Sequence, residues 1–175
     1  QLKEGHPSFD NFRLLGVNDP MPADELSERK TKAFHALQYL WGLFNSVGMC
    51  VFCVKPLGPM TLPEMVELVN ASTGWDTTLE ELELVKDRHT TLARLFNLRE
   101  GMTRADDALP PRMFEPIQSG PLKGSRLSPE AFRQALQAYY REAGWDENGI
   151  PTEGTLHRLG LDWAKPILDK VRGRT

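Results

Sequence analysis

Residues 24–44 decide the fold: Asp24-Glu25-Leu26-Ser27-Glu28-Arg29-Lys30-Thr31-Lys32-Ala33-Phe34-His35-Ala36-Leu37-Gln38-Tyr39-Leu40-Trp41-Gly42-Leu43-Phe44. Phe34, Leu37, Leu40, Trp41 and Phe44 recur at steps of three and four, the period that lays an apolar stripe along one face of an α-helix. The spacing predicts a helix from about Asp24 to Phe44 that buries this face. Immediately beyond it lies Asn45-Ser46-Val47-Gly48-Met49-Cys50-Val51-Phe52-Cys53, a short apolar segment that carries both cysteines of the chain. A thiol placed where a helix breaks at a glycine can aim its sulfur away from that helix.

Working outward, the same helical grammar repeats. Lys55-Pro56-Leu57-Gly58-Pro59 breaks the chain, and Thr61-Leu62-Pro63-Glu64 has the spacing of a capping box ahead of Met65, Leu68 and Val69. A third helix opens at Thr78, with Glu81 three residues on, and runs to about Asn97. Leu82, Val85, Leu92, Leu95 and Phe96 are its expected core positions. Ser128-Pro129-Glu130 is an N-terminus signal, with a capping serine and proline at the first helical position. The helix that follows should bury Phe132, Leu136 and Tyr139 and end at Gly144. Two short helices are expected around Thr152–Leu159 and Asp162–Val171. Between the third and fourth helices, residues 98–127 form a long Pro/Gly-rich connection. Residues 1–23, punctuated by Pro7, Gly16, Pro20 and Pro22, read as an irregular lead-in to a helical domain over 24–175. No alternating strand pattern and no internal repeat appears. The fold class is all-α, an irregular bundle of about five to six helices.

Composition narrows the function. At 175 residues the chain suits one domain able to bury its own core. The formal charge of −3, without a dense Lys/Arg stripe, argues against nucleic acid. The basic ending Lys170-Val171-Arg172-Gly173-Arg174 reads as a solvated helix end. No apolar run is long enough to span a membrane, and no signal-peptide core follows Gln1. The missing initiator Met suggests a trimmed or excised piece. Two cysteines three positions apart cannot staple a domain of this size, which fits a reducing cytoplasm.

Residue chemistry alone leaves several readings open. Cys50 and Cys53 form a lone C-x2-C. No βαβ pattern accompanies it as a redox dithiol would require, and His35, His89 and His157 are too scattered to complete a zinc site. Buried structural cysteines are the default expectation. In Arg99-Glu100-Gly101-Met102-Thr103-Arg104-Ala105-Asp106-Asp107, internal Arg–Asp pairing that pins the loop outweighs a pair of catalytic acids, because adjacent loop carboxylates seldom point to one spot. Gly74-Trp75 and Gly144-Trp145-Asp146 read as helix ends with an aromatic anchor.

Taken in order, these segments resemble the C-terminal domain of the tungsten-containing aldehyde ferredoxin oxidoreductase family over about residues 24–165. Asn45-Ser46-Val47-Gly48-Met49-Cys50-Val51-Phe52 is similar to its D-x-x-G-L-C-x-F. Leu92-Ala93-Arg94-Leu95-Phe96-Asn97-Leu98-Arg99-Glu100-Gly101 resembles the segment after its long helix, and Arg104-Ala105-Asp106-Asp107-Ala108-Leu109-Pro110-Pro111-Arg112 its R-x-D-D-x-L-P-x-R. Tyr139-Tyr140, Gly144-Trp145-Asp146, Gly149-Ile150-Pro151-Thr152 and Leu159-Gly160-Leu161 resemble its closing signature.

The resemblance implies a parent enzyme that oxidises aldehydes to carboxylic acids with ferredoxin as electron acceptor. Its cofactors would be tungsten, or molybdenum, held by two pterins, beside a 4Fe–4S cluster. On this implication Cys50 is the fourth cluster ligand, the other three lying upstream in a C-x2-C-x3-C arrangement. Asn45, Gly48, Met49 and Cys50 form the pterin side, and Cys53, outside the motif, is a buried bystander. Asn45 replaces the family's aspartate, keeping a carbonyl acceptor but losing the charge. The implied partners are ferredoxin and the N-terminal domains of the same enzyme, without which this chain carries no cofactor and no activity. The face near Trp41, Phe44, Met49 and Phe52 should then be an exposed apolar patch that drives dimerisation in isolation. A free-standing helical interaction module is the competing reading. A small thiol redox protein is a third.

Overall fold

A computed structural model describes residues 13, 16–18, 21, 25–54 and 58–173. The lead-in over 1–23 and the break at Lys55-Pro56-Leu57 fall largely outside these. The described residues contain six α-helices, several 3₁₀ turns and two isolated bridges, with no strand ladder, so the all-α reading holds. The helices are α1 (Glu28–Val47), α2 (Leu62–Thr73), α3 (Leu79–Arg99), α4 (Pro129–Ala143), α5 (Glu153–Arg158) and α6 (Lys165–Arg172).

Their starts follow local chemistry. α1 begins four residues later than the apolar pattern predicts, because the Ser27 hydroxyl accepts the Lys30 N–H at 3.2 Å and caps the helix there. Thr61 and Glu64 close the expected capping box on α2, and Thr78 and Glu81 exchange the equivalent bonds on α3. Ser128 caps α4 and Thr152 caps α5. Each satisfies N–H groups that a helix start leaves without partners. Gly74 and Gly144 end α2 and α4 in the left-handed conformation.

The chain divides into two compact units. In the unit built on Ala33–Ala93, Tyr39, Leu40, Leu43, Phe44, Val54, Leu62, Met65 and Leu82 form the core. The stripe predicted for α1 is therefore rotated: Leu40 and Phe44 are buried as expected, but Phe34 is 52% and Trp41 45% exposed. Tyr39 and Leu43, one turn apart, take their place. Leu68 is exposed on α2, and Trp75, expected as an anchor, is 66% exposed.

In the unit built on Arg94–Thr175, with Pro22–Lys32, the core is Leu95, Leu98, Ala138, Tyr140, Ala143, Trp145, Ile150, Leu156, Leu159, Leu161, Ala164, Leu168 and Val171. Phe96, expected inside, is exposed and lies under the Arg99 guanidinium, 4.9 Å from its carbon. Phe132, Leu136 and Tyr139 are half-buried, and Tyr140 carries the buried face of α4 instead. The long connection is organised by 3₁₀ turns at Arg104–Asp106 and Pro111–Phe114. The predicted last helix is split into a 3₁₀ turn, Asp162–Ala164, and α6.

Candidate functional site

The segment that follows α1 is shaped by its glycine. Gly48 has φ 68°, a left-handed conformation that side-chain-bearing residues rarely adopt. It lets the Met49 N–H return to the Phe44 carbonyl at 2.9 Å, the long bond of a Schellman closure. Met49 packs against the core that contains Phe44, the apolar contact that usually accompanies this closure.

Cys50 comes next, extended (φ −67°, ψ 132°), and heads the 3₁₀ turn Val51–Cys53. Val54 then enters the core with no exposed surface. The turn is tied down beyond it: Gly58 N–H donates to the Val54 carbonyl at 2.9 Å and Met60 N–H to the Cys53 carbonyl at 3.0 Å.

This geometry overturns two expectations. Both cysteines are exposed, so neither is a core residue and Cys53 is no buried bystander. The turn directs Val54 inward at their expense. The dry shell expected around Cys50 is also incomplete within the chain: Val47, Met49 and Val51 are half-buried, while Phe52 is 69% exposed. The predicted patch is corrected in the same way. Phe44 belongs to the core and Met49 is half-buried against it, so of that face Trp41 and Phe52 stand outward, with Phe34 exposed two turns before Trp41. Asn45 sits exposed on the last turn of α1, one turn beyond Trp41. Asn45, Gly48, Met49 and Cys50 are thus brought together at one helix end.

Sequence reasoning missed two buried cations. Lys86, fully buried on α3, places Nζ 3.1 Å from Asp87 Oδ1 and 3.2 Å from His35 Nε2. Tyr39, also buried, leaves its hydroxyl without a hydrogen-bond partner among the described residues; burial and then the nearby Glu83, Asp87 and Glu80 hold its proton on.

Arg94, in the other unit, is the centre of a larger network. Its Nε donates to the Gly149 carbonyl at 2.8 Å, and Nη1 and Nη2 grip Asp107 at 2.8 and 2.5 Å. Tyr140 donates to the same carboxylate at 2.5 Å, and the guanidinium lies over the Tyr140 and Trp145 rings. Burial first, then this bond to Asp107, pushes the Tyr140 hydroxyl well above its ordinary pKa. The predicted Arg–Asp pairing therefore exists, but with the helix arginine. Asp106 points elsewhere, to the Thr103 backbone and hydroxyl, and Arg104 donates to the Glu147 carbonyl. Trp145 is the anchor expected after Gly144. The signal for Lys86 and Arg94 was present in the sequence: both fall in register with Leu82, Leu95 and Leu98 on the buried face of α3.

The profile of the family described as "Aldehyde ferredoxin oxidoreductase, domains 2 & 3" matches residues 2–161. This chain belongs to that family. Among curated proteins, it is 35% identical over 150 residues to the tungsten-containing aldehyde ferredoxin oxidoreductase of Pyrococcus furiosus, and 32% over 151 residues to that of Pyrococcus abyssi. Each alignment takes in 85% of this chain and 24% of the relative. An aliphatic sulfonate oxidoreductase WOR-like subunit of Pyrococcus furiosus is 34% identical over 137 residues, 75% of this chain and 21% of that one.

The chain therefore spans about a quarter of the length of these aldehyde ferredoxin oxidoreductase relatives. Among solved structures, the active-site complex BamBC of benzoyl coenzyme A reductase shares the fold, with a TM-score of 0.59 and 23% identity over 99% of this chain and 23% of that one. The aldehyde ferredoxin oxidoreductase family is one of oxidoreductases, and this chain is a domain-sized part of such a protein. No helix among the described residues is long and apolar enough to cross a membrane.

Proposed function

We propose that this chain is the cluster- and pterin-contacting C-terminal domain of a tungsten, or molybdenum, pterin oxidoreductase. The observation that carries the reading is the Gly48 closure of α1, which leaves the Cys50 thiol exposed at the matching position of the family motif. Among the described residues no group of three or more His, Cys, Asp or Glu converges as a metal site. The donor set fits a single thiolate contributed to a shared centre, with three further cysteines supplied by the upstream part of the parent protein. Cys50 is that fourth ligand of a 4Fe–4S cluster, for which thiolates are the usual donors.

When bound, the metal–pterin centre and cluster supply oxidation of an aldehyde to a carboxylic acid and onward transfer of the electrons to ferredoxin. The chain's own residues hold and orient. Gly48 fixes the direction in which Cys50 leaves the helix. Asn45, exposed one turn before it, offers a pterin its amide carbonyl as acceptor and its NH2 as donor, without the charge of the family's aspartate. Met49 and Val51, on either side of Cys50 in the chain, pack against the core and anchor the backbone that carries the thiol, and the N-terminal domains of the same enzyme cover it from outside. Restriction of solvent around a cluster sulfur is one of the levers on its potential.

The reading is tested in the full-length parent enzyme, wild type and Cys50→Ala, by iron counting and EPR of the reduced protein. A 4Fe–4S signal in the wild type that the variant loses or strongly perturbs supports it. An unchanged cluster in Cys50→Ala would reduce Cys50 to a surface residue and this domain to a scaffold. Turnover assays include an aliphatic sulfonate beside aldehydes, because one relative is named for that substrate.

A further inference from the structure

Where the end of α3, the turn at Asn148–Ile150 and the last turn of α6 meet, the unit built on Arg94–Thr175 holds an open cavity of about 570 Å³. Small-molecule sites are concavities of about 300–1,000 Å³, mostly apolar, with a few placed polar groups. Leu98, Ile150 and Val171 line this one, each no more than 5% exposed, and half-buried Met102 joins them. The wall is held from behind. Arg94 Nε donates to the Gly149 carbonyl at 2.8 Å, the Ile150 N–H donates to the Asp146 carboxylate at 3.0 Å, and the Met102 N–H returns to the Asn97 carbonyl at 3.0 Å.

Two polar side chains stand at the rim. Arg104 spends Nη1, part of a five-donor fork, on the Glu147 carbonyl at 2.7 Å, which fixes the guanidinium beside the cavity. No carboxylate pairs with it among the described residues. The adjoining acids are committed elsewhere: Asp107 to Arg94 and Tyr140, Asp106 to the Thr103 N–H and hydroxyl. The Asn148 side-chain amide makes no hydrogen bond among the described residues, only its backbone N–H being bonded, to Asp146. A cation without a counter-charge, beside an aliphatic wall, selects a ligand with one negative head and an aliphatic body. No second Lys or Arg lines the cavity, so a phosphate monoester, with about two negative charges, would be only half neutralised.

We propose that this cavity binds an aliphatic monocarboxylate. The carboxylate accepts from the Arg104 guanidinium, whose planar fork matches its two oxygens, and from the Asn148 amide. The chain lies over Leu98, Met102, Ile150 and Val171, out of water. The site does not rest on the function proposed above, and it involves no reaction.

The test is equilibrium binding of octanoate and of octanol to the full-length parent enzyme, as wild type, Arg104→Gln and Ala105→Trp. Ala105 is an exposed residue of the cavity lining, so the indole fills the mouth and leaves the charge unchanged. Wild type should bind octanoate at this site at least about tenfold more tightly than octanol, the scale of a hydrogen bond to a charged group. Arg104→Gln should lose that preference while still binding octanol, an outcome that general disruption of the fold would not give. Ala105→Trp should lose both ligands here, and a crystal of the wild type with octanoate should show the carboxylate on Arg104. Octanoate binding that neither variant changes, a preference over octanol that survives in Arg104→Gln, or no binding at all overturns the proposal.

Discussion

A guanidinium taken out of water costs several kcal/mol unless its N–H groups find partners. Arg94 meets that demand with one backbone carbonyl, one carboxylate gripped at both oxygens, and two aromatic faces. Removing the carboxylate leaves the charge buried and uncompensated. Asp107→Ala should therefore destabilise the chain by about 3–5 kcal/mol, read as a shift in the urea midpoint. Tyr140→Phe, which removes one hydrogen bond while keeping the ring, should cost about 1 kcal/mol. A loss in Asp107→Ala no larger than that of an ordinary surface change, about 0.5 kcal/mol, would mean that Arg94 reaches water. Gly149 is bound to the same network. It has φ 72°, and a Cβ there would come within 2.7 Å of the Tyr140 ring. Gly149→Ala should cost about 1–3 kcal/mol from backbone strain alone, with the steric clash adding to it.

Helix starts and stops were legible because their causes are local. A hydroxyl three residues before a glutamate needs no knowledge of the rest of the molecule to cap a helix. Thr61→Ala should accordingly cost about 1 kcal/mol, measured by thermal melting, and an unchanged melting temperature would show the capping box to be idle. Which stripe faces inward was less legible. On α1, period alone gave Phe34 and Trp41 the same weight as Leu40 and Phe44, and only the packing of α2 and α3 distinguishes them. Lys86 and Arg94 lay in register with the buried face of α3 but were passed over for a different reason: charged residues are assigned to water by default, and the Arg94 partners that make burial affordable lie far along the chain. Asp107 is 13 positions from Arg94, and Gly149 is 55. Asn45, Gly48, Met49 and Cys50 lie together because they are contiguous at one helix end, but the exposure of Cys53 depended on the direction of a three-residue turn.

The meeting of α1 and α3 also makes a pH prediction. Glu83 has its pKa raised, first by burial, then by Glu80 and Asp87, with Lys86 opposing. A carboxyl raised on folding favours its protonated form in the native state. Its contribution is fully present below the unfolded carboxylate value and is lost as pH rises through the folded one. Glu83→Gln should therefore raise the melting temperature at pH 7, and the gain should shrink on acidification towards pH 4. A gain independent of pH would assign the effect to something other than this titration.

At the scale of the whole molecule, Phe34, Trp41 and Phe52 stand outward in the same unit that carries the Cys50 turn. Monomeric soluble proteins rarely leave large contiguous apolar areas uncovered. The 175-residue chain alone should bind a hydrophobic dye and self-associate in sedimentation. The double variant Trp41→Ser/Phe52→Ser should reduce both. A wild-type chain that is monomeric and dark to the dye would mean that these side chains shelter one another.

The Arg94–Gly149 bond has a further consequence, in time. A ribosome adds about 5–20 residues each second, so the 55 positions between donor and acceptor take roughly 3–10 s to make. Throughout that interval the arginine has no carbonyl to receive it and keeps its water. The latter half of α3 can coil as soon as it emerges, but it cannot be sealed. One peptide oxygen 55 residues downstream thus sets the earliest moment at which the second unit can close.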